Sequence, residues 1–125
     1  MYQPADGDLL PSYFYAMLDD ADRSLKYWEA IKACIRDLRA TLADDSSEVV
    51  VVDVGVGTGM LSAFAIHAGA DLVIGVDVNA AAIAAAQAAI DAISGDASTR
   101  FVNVLLDRKK DKTAQQIRAK IDARL

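Results

Sequence analysis

The sequence has few of the residues that form disulfides and metal sites. Of its 125 residues, one is cysteine and one is histidine. Cys34 has no partner for an intrachain disulfide, so we expect an intracellular, reducing compartment, with no distinction between cytoplasm and organelle. His67 has no Cys or His neighbour at metal-ligand spacing, so no metal site is predicted. We expect Cys34 to pack within an amphipathic helix and His67 to lie in the last turn of another.

Basic charge and long apolar runs are also scarce. The chain carries 13 basic and 18 acidic residues, for a net charge of −5. Binding to nucleic acid or to an anionic membrane needs a basic face, which this balance argues against. The uncharged stretch at residues 54–70 has three glycines among its first six residues and contains Ser and Thr, which makes it a poor lipid-spanning helix. The sequence therefore predicts neither a nucleic-acid partner nor a membrane span.

Length and pattern predict one α/β domain. Residues 1–11 are predicted to be an irregular N-terminal segment because Pro4, Gly7 and Pro11 interrupt it. Residues 12–125 are predicted to form the domain, since a chain of this length has room for only one. Apolar spacing and capping residues predict the following elements, in order: helices at 12–20 and 22–42, a strand at 48–54, a helix at 58–69, a strand at 72–77, a helix at 79–93, a strand at 99–106 and a helix at 113–124.

This alternation predicts a half-Rossmann fold preceded by N-terminal helices. Right-handed crossovers place the three parallel strands in the order 3-2-1. The first strand then lies at an edge of the sheet. Val49–Val52 carry no charged side chain, so nothing prevents the unpaired backbone groups of this edge from pairing with another chain. We therefore expect either that the N-terminal helices cover this edge or that another protein chain pairs with or covers Val49–Val54.

The turn after the first strand is the candidate ligand site. Three glycines alternate after Asp53, at Gly55, Gly57 and Gly59. Glycine adopts the backbone angles of a tight strand-to-helix turn at little cost, and its missing side chain lets a ligand approach the main-chain amides. The sequence therefore predicts a nucleotide-like ligand at this turn.

The spacing of the turn favours one ligand class over another. A dinucleotide turn requires a third glycine where this chain has Met60 or Ser62. An acid two residues before the first glycine repels a pyrophosphate and suits a cationic amino-acid group, as in S-adenosylmethionine. Asp77 ends the second strand, where its carboxylate is placed to accept hydrogen bonds from ribose hydroxyls. A dinucleotide site and a βα corner without any ligand are the alternatives.

Two stretches, in order along the chain, resemble the protein arginine methyltransferases. VVDVGVGTGMLSAFAIHAGADLVIGVDVN, at residues 51–79, resembles the cofactor-binding core of that family. SYFYAMLDDADRSLKYWEAI, at residues 12–31, resembles the helices that precede this core. The resemblance extends over roughly residues 12–95, and it is nearest to the branch that makes monomethylarginine.

The resemblance implies S-adenosylmethionine as cofactor and assigns roles by position. Arg23 would contact the cofactor carboxylate, and Met17 would line the substrate side. Asp77 would hold the ribose, although the family usually has Glu there. The cofactor turn would comprise Asp53, Gly55, Gly57 and Gly59.

The family's catalytic glutamates have no counterpart in this sequence. In the family, two glutamates on a loop after a fourth strand bind the guanidinium group. Here the only two glutamates, Glu29 and Glu48, precede the cofactor turn. The family's Thr-His-Trp loop and β-barrel have no match either, so the chain is expected to be a truncated core and no catalytic residue is assigned.

Three functions are therefore compatible with the sequence. The first is an S-adenosylmethionine-dependent, arginine methyltransferase-like domain that is not catalytically competent as this chain alone. The second is a degenerate, non-catalytic subunit with a structural role in a larger protein assembly. The third is a small methyltransferase that acts on another substrate.

Overall fold

A computed structural model describes residues 19–42, 47–93, 95 and 98–125 of the chain. The elements follow one another as α1 Ala21–Thr41, β1 Val50–Val54, α2 Met60–His67, β2 Leu72–Asp77, α3 Ala80–Ile93, β3 Arg100–Leu105 and α4 Ala114–Asp122. The predicted irregular segment 1–11 and most of the predicted helix at 12–20 lie outside the described residues, as does Met17. The other predicted elements are present, with ends that shift by a few residues.

The three strands form one parallel sheet in which β2 is central. Their order is β1-β2-β3, with Val54 opposite Val76 and Val76 opposite Val104. The predicted α/β half-Rossmann fold and the 3-2-1 strand order are therefore confirmed. Among the described residues, β1 pairs only with β2, so its other edge is open in this part of the chain.

Local capping groups set the helix ends. The Asp20 carboxylate accepts a hydrogen bond from the Arg23 amide at the start of α1. Asn79 caps α3 through the Ala82 amide at 3.0 Å, as its residue type predicts. Thr113 and Gln116 form a reciprocal capping box on α4. Gly69, just after α2, has a φ of +96°, the left-handed conformation in which glycine commonly ends a helix.

The two faces of the sheet are covered by different helices. On one face, which we call the α2–α3 face, the central core joins Val49 and Val73 to Ile66 of α2, Ile90 of α3 and Ile35 of α1. On the opposite face, the α4 face, a second cluster comprises Leu72, Ile74, Val76 and Val104, with Ile121 of α4 packed against it. Because successive side chains of a strand point to opposite faces, both faces of β2 are buried.

The described helices cover strand β1 on the α2–α3 face alone. Val50, Val52 and Val54 project from its α4 face, and they are 46%, 51% and 81% exposed. Helix α1 packs on α2 and contributes Ile35 to the core of the α2–α3 face. In the described part of the chain, the α4 face of β1 is therefore an apolar surface without a cover.

The prediction that Cys34 packs within its helix is wrong. Cys34 is exposed, whereas the neighbouring Ile35 is 4% exposed and belongs to the core. Successive residues of an α-helix point about 100° apart, so burial of Ile35 turns Cys34 toward solvent. His67 lies in the last turn of α2, as predicted.

Candidate functional site

The candidate site lies where the carboxyl ends of the parallel strands meet. Strands β1 and β2 end in the sequences Asp53-Val54 and Val76-Asp77. In open parallel sheets, ligands bind at this edge, in the crevice formed by the loops that follow the strands. The loop after β1 is the glycine turn, residues 55–59, which leads directly into α2.

All three glycines of the glycine turn have left-handed backbone conformations. The φ angles are +74° at Gly55, +57° at Gly57 and +88° at Gly59. A side chain at Gly55 would meet no atom within 4 Å, so the backbone conformation and not crowding requires glycine there. Gly59 has a second reason to be glycine, because an added Cβ would lie 3.1 Å from both Cα and Cβ of Ala86 on α3.

Asp53 is buried beneath this turn, where it binds the first turn of α2. Its side chain accepts a hydrogen bond from the Ser62 hydroxyl at 2.7 Å, and the Ser62 backbone amide also donates to it. Ser62 lies in the first turn of α2, so the carboxyl satisfies an amide at the helix N-terminus, where Gly59 offers no side-chain cap. Burial raises the pKa of Asp53, the hydrogen bonds from Ser62 oppose this rise, and the charge of Asp77 adds to it. Direct contact between Asp53 and a ligand stays a prediction.

Asp77 joins the glycine turn to the loop after β2. Its Oδ2 accepts a hydrogen bond from the Gly57 amide at 3.1 Å, and its Oδ1 accepts one from the Asn79 amide at 2.9 Å. An ionised carboxylate has about four acceptor sites, so these two hydrogen bonds leave capacity for further donors such as hydroxyls. The structure therefore brings Asp77 and the predicted cofactor turn into one constellation.

Arg23 lies in the first turn of α1, which meets the start of α2. The Ser24 hydroxyl is 3.4 Å from the sulfur of Met60, the first residue of α2. The guanidinium group of Arg23 lies over the ring of Tyr27, 4.7 Å from its centroid. Its Nη1 is buried and has no hydrogen-bond partner among the described residues. A buried, unpaired guanidinium nitrogen is costly unless an anion or another acceptor completes it.

A cleft beside Asp77 contains residues that were not predicted from the sequence. It has a volume of about 650 Å³ and lies at the ends of β2 and β3. Its lining comprises Val78, Asn79, Ala80, Leu105, Leu106, Asp107, Arg108 and Lys120. The position of Asp107 just beyond β3 was a usable signal, because loops at strand ends line such clefts. Lys120 comes from α4, and no local pattern indicates that it reaches this edge.

The described residues contain neither a metal cluster nor a membrane-spanning helix. No group of three or more His, Cys, Asp or Glu side chains in this part of the chain has the arrangement of a metal site. The described helices are also too short or too polar to cross a bilayer.

Comparison with known proteins identifies methyltransferases. The family model of PrmA, the ribosomal protein L11 methyltransferase, matches residues 28–125. Protein arginine N-methyltransferase 7 of Danio rerio is 39% identical over 71 residues, which are 57% of this chain and 10% of that protein. The same enzyme of Drosophila willistoni is 48% identical over 60 residues, or 48% of this chain and 8% of that protein.

Solved structures give the same relationship at the level of the fold. The crystal structure of PRMT6-SAH has a TM-score of 0.58 and 28% identity, and the match covers 86% of this chain and 26% of that one. A second PRMT6 structure has a TM-score of 0.54 and 29% identity, with coverage of 74% and 24%. The chain thus spans about a tenth of the length of the curated relatives and about a quarter of the PRMT6 chain. It belongs to the PrmA methyltransferase family and resembles the S-adenosylmethionine-binding core of the protein arginine methyltransferases.

Proposed function

We propose that this chain binds S-adenosylmethionine as the cofactor-binding part of an arginine methyltransferase-like protein and is not catalytically competent by itself. The observation that carries the proposal is the buried Nη1 of Arg23, which has no hydrogen-bond partner among the described residues and lies in the helical turn that meets the start of α2. A carboxylate on the cofactor would supply the missing acceptor and offset the cost of burying this nitrogen.

The other residues of the site fit the remaining parts of the cofactor. The positive φ angles of the glycine turn and the open space at Gly55 leave the main chain accessible to a ligand. Asp77 retains acceptor capacity for ribose hydroxyls, and the cleft beside it has room for the base. When bound, S-adenosylmethionine supplies an electrophilic methyl group on its sulfonium sulfur.

The proposal assigns no catalytic residue to this chain. Binding an arginine guanidinium for methyl transfer needs preorganised acceptors, since positioning and electrostatics provide much of the rate enhancement. No glutamate follows Glu48 in these 125 residues. Residues that bind and orient the substrate would therefore come from outside this sequence.

Calorimetric titration with two related ligands tests the role of Arg23. S-Adenosylhomocysteine (SAH) carries the amino-acid carboxylate, whereas 5′-methylthioadenosine lacks the whole amino-acid group. We expect the wild-type chain to prefer SAH. Arg23→Ala should weaken SAH binding by about tenfold or more, because a hydrogen bond to a charged group contributes about 1.5–3 kcal/mol. The same variant should leave 5′-methylthioadenosine binding nearly unchanged.

Arg36→Ala is the matched control for this experiment. Arg36 lies on the same helix, carries the same charge and is 72% exposed beside Asp37. Its removal should change neither affinity. The proposal is contradicted if the wild-type chain binds neither ligand at millimolar concentration, or if Arg23→Ala retains the wild-type preference for SAH.

A second candidate function is that of a non-catalytic structural subunit. Two features of β1 in the described part of the chain support it: an unpaired edge, on which another protein chain can add a strand, and the exposed valines of the α4 face, which such a chain can cover. The partner in this proposal is a protein chain that pairs with or covers Val49–Val54. Cofactor binding separates the candidates, since a degenerate subunit has no need of a functional cofactor turn.

Light scattering after size exclusion tests whether this surface associates. We expect the isolated wild-type chain to self-associate with rising concentration, and Val52→Lys to reduce that association. Ile93→Lys serves as control because Ile93 is similarly exposed, at 45%, but lies on α3. A wild-type chain that stays monomeric and soluble at several hundred micromolar would count against a required partner.

A further inference from the structure

Val56 lies between Gly55 and Gly57 in the glycine turn, yet its side chain points into the protein. It is 4% exposed, whereas its neighbour Gly55 is exposed. The side chain of Val56 occupies the space above Gly75 on β2. A Cβ added to Gly75 would come within 2.8 Å of Val56 Cγ2 and 3.1 Å of Val56 Cβ. The missing side chain of Gly75 therefore forms a notch that Val56 fills.

The backbone conformation does not explain why position 75 is glycine. Among the described residues, the glycines with positive φ are Gly55, Gly57, Gly59, Gly69 and Gly95, and Gly75 is not among them. Glycine in a strand interior is unfavourable, by about 0.5–1 kcal/mol relative to alanine in regular structure. Close approach of another group is the usual reason to find it there, and in this chain that group is Val56.

The residue opposite Gly75 on β3 also limits the space above this glycine. Asp53 lies opposite Gly75, and Gly75 lies opposite Asn103. A Cβ at Gly75 would also lie 2.9 Å from the Asn103 Oδ1. Asn103 is itself held in place, because its Nδ2 donates to the Ile83 carbonyl of α3 at 2.8 Å. The space over Gly75 is thus bounded on the β3 side by a fixed side chain.

The notch fixes the turn relative to the end of β2. The amides of Gly55 and Val56 both donate to the Val76 carbonyl, at 2.8 Å and 2.9 Å. The next residue, Gly57, donates to Asp77. Side-chain packing at Val56 therefore works together with three backbone donors to set the distance between the glycine turn and the Asp77 carboxylate.

We propose that Val56 and Gly75 are a size-matched pair that positions the cofactor turn, with Gly75 acting as a positioning residue that touches no ligand. This inference rests on the proposed cofactor binding. A methyl group at position 75 would displace Val56 outward, and the amides of Gly55, Val56 and Gly57 that bind the end of β2 would move with it. Interiors are packed closely enough that such a displacement is not absorbed locally.

A double-mutant cycle with SAH as ligand tests the pair. We expect Gly75→Ala to weaken SAH binding by about tenfold or more, as small displacements of binding groups have large effects. Val56→Ala alone should weaken it less, since it leaves space without moving the turn. The double variant Gly75→Ala with Val56→Ala should bind more tightly than Gly75→Ala, because the Cγ2 contact is gone. That non-additive rescue is the signature of direct coupling.

A second readout keeps the test independent of the proposed function. The thermal midpoint of unfolding should fall in Gly75→Ala and recover in part in the double variant, whether or not SAH binds. If the wild-type chain does not bind SAH but the thermal midpoint recovers in the double variant, the packing of Val56 against Gly75 is supported and the proposed cofactor binding is contradicted. If Gly75→Ala binds SAH as wild type does, or if the double variant shows only the summed losses of the singles in both measurements, the inference is overturned.

Discussion

Strands β1 and β2 are alike in sequence and opposite in burial. Their sequences are VVVDV and LVIGVD, both rich in β-branched residues and both with an aspartate at or near the end. β2 is buried from Leu72 to Val76, whereas β1 buries only Asp53. The contrast is largest at one register pair, where Val54 is 81% exposed and Val76 is 3% exposed.

The position of each strand in the sheet causes this difference. β2 has a neighbour at each edge, helices α2 and α3 on one face and the α4 cluster on the other. Among the described residues, β1 has one neighbouring strand and is covered by helices on one face only. Strand-forming residues thus specify that a strand forms, but its neighbours determine what is buried.

For Asp53 of β1 and Asp77 of β2, burial differs in the opposite direction to that of the strands that carry them. Asp53 belongs to the more exposed strand, yet its carboxyl is buried beneath the turn with Ser62. Asp77 belongs to the buried strand, yet it reaches the surface and binds the Gly57 and Asn79 amides. Alternation places both aspartates on the α2–α3 face, so their position along the sheet decides the difference: Asp53 lies opposite Gly75 within the sheet, whereas Asp77 is two residues further on, at the end of β2.

The largest expected effect separates the valines of one register pair. Val76→Ala should lower the free energy of unfolding by about 1.5–3 kcal/mol, because it removes buried methyl groups and leaves a cavity. Val54→Ala should change it by about 0.5 kcal/mol or less, because Val54 is mostly solvated. Chemical denaturation of both variants measures the difference. Equal losses would mean that the α4 face of β1 is covered in solution.

A second prediction concerns the pH dependence associated with Asp53. Burial raises its pKa in the folded state, so the folded chain holds this proton more tightly than the unfolded chain. The resulting stabilisation is fully present below the unfolded pKa and is lost as the pH rises through the folded pKa. Asp53→Asn removes this dependence, so its stability relative to wild type should improve as the pH rises from acid to neutral.

Denaturation of the wild type and Asp53→Asn across that pH range measures the trend. Ser62→Ala is a useful companion, because removing the hydroxyl takes away a hydrogen bond that lowers the Asp53 pKa. It should therefore extend the pH-dependent loss to higher pH. A difference between wild type and Asp53→Asn that does not change with pH would contradict the burial of an ionisable carboxyl at this site.

A smaller pH dependence of the free energy of unfolding is expected from Asp71, just before β2, and its direction is opposite to that from Asp53. Its pKa is lowered, first by the hydrogen bond from the Val49 amide and then by Arg39. This stabilisation is present above the unfolded pKa and disappears as the pH falls through the folded pKa. Asp71→Asn should therefore destabilise the chain at neutral pH by about 1 kcal/mol or less, since the pair is partly exposed. The loss should vanish in acid, and a loss that persists there would contradict it.

Local signals in the sequence were sufficient for much of the fold. The apolar runs predicted all three strands. Asn79 marked the start of one helix through a hydrogen bond to a nearby amide, and Gly69 marked the end of another through its backbone angle. The three alternating glycines identified the turn that the structure brings to Asp77. These features depend on residues close together in the chain, so one sequence contains the information.

Features that depend on distant residues could not be predicted in this way. Ser62 as the partner of Asp53 and Gly75 as the notch for Val56 both require the βαβ unit to be assembled first. In α1, helical spacing groups Leu25, Ile35 and Leu38 into one apolar stripe, yet Leu25 and Leu38 are 58% and 42% exposed while Ile35 is buried. Helical periodicity gives the stripe, but the neighbouring elements decide how much of it is covered.

The most direct test of the account is a nuclear magnetic resonance titration of the ¹⁵N-labelled chain with SAH. The account predicts saturable amide shifts at Gly57 within the glycine turn, at Asn79, which binds Asp77, and at Arg23 in the first turn of α1. The amides of Val50 and Val52 should not shift, because the ligand lies at the other end of β1. Absence of shifts at millimolar SAH, or shifts confined to β1 and α4, would contradict the central claim that the glycine turn is a cofactor site.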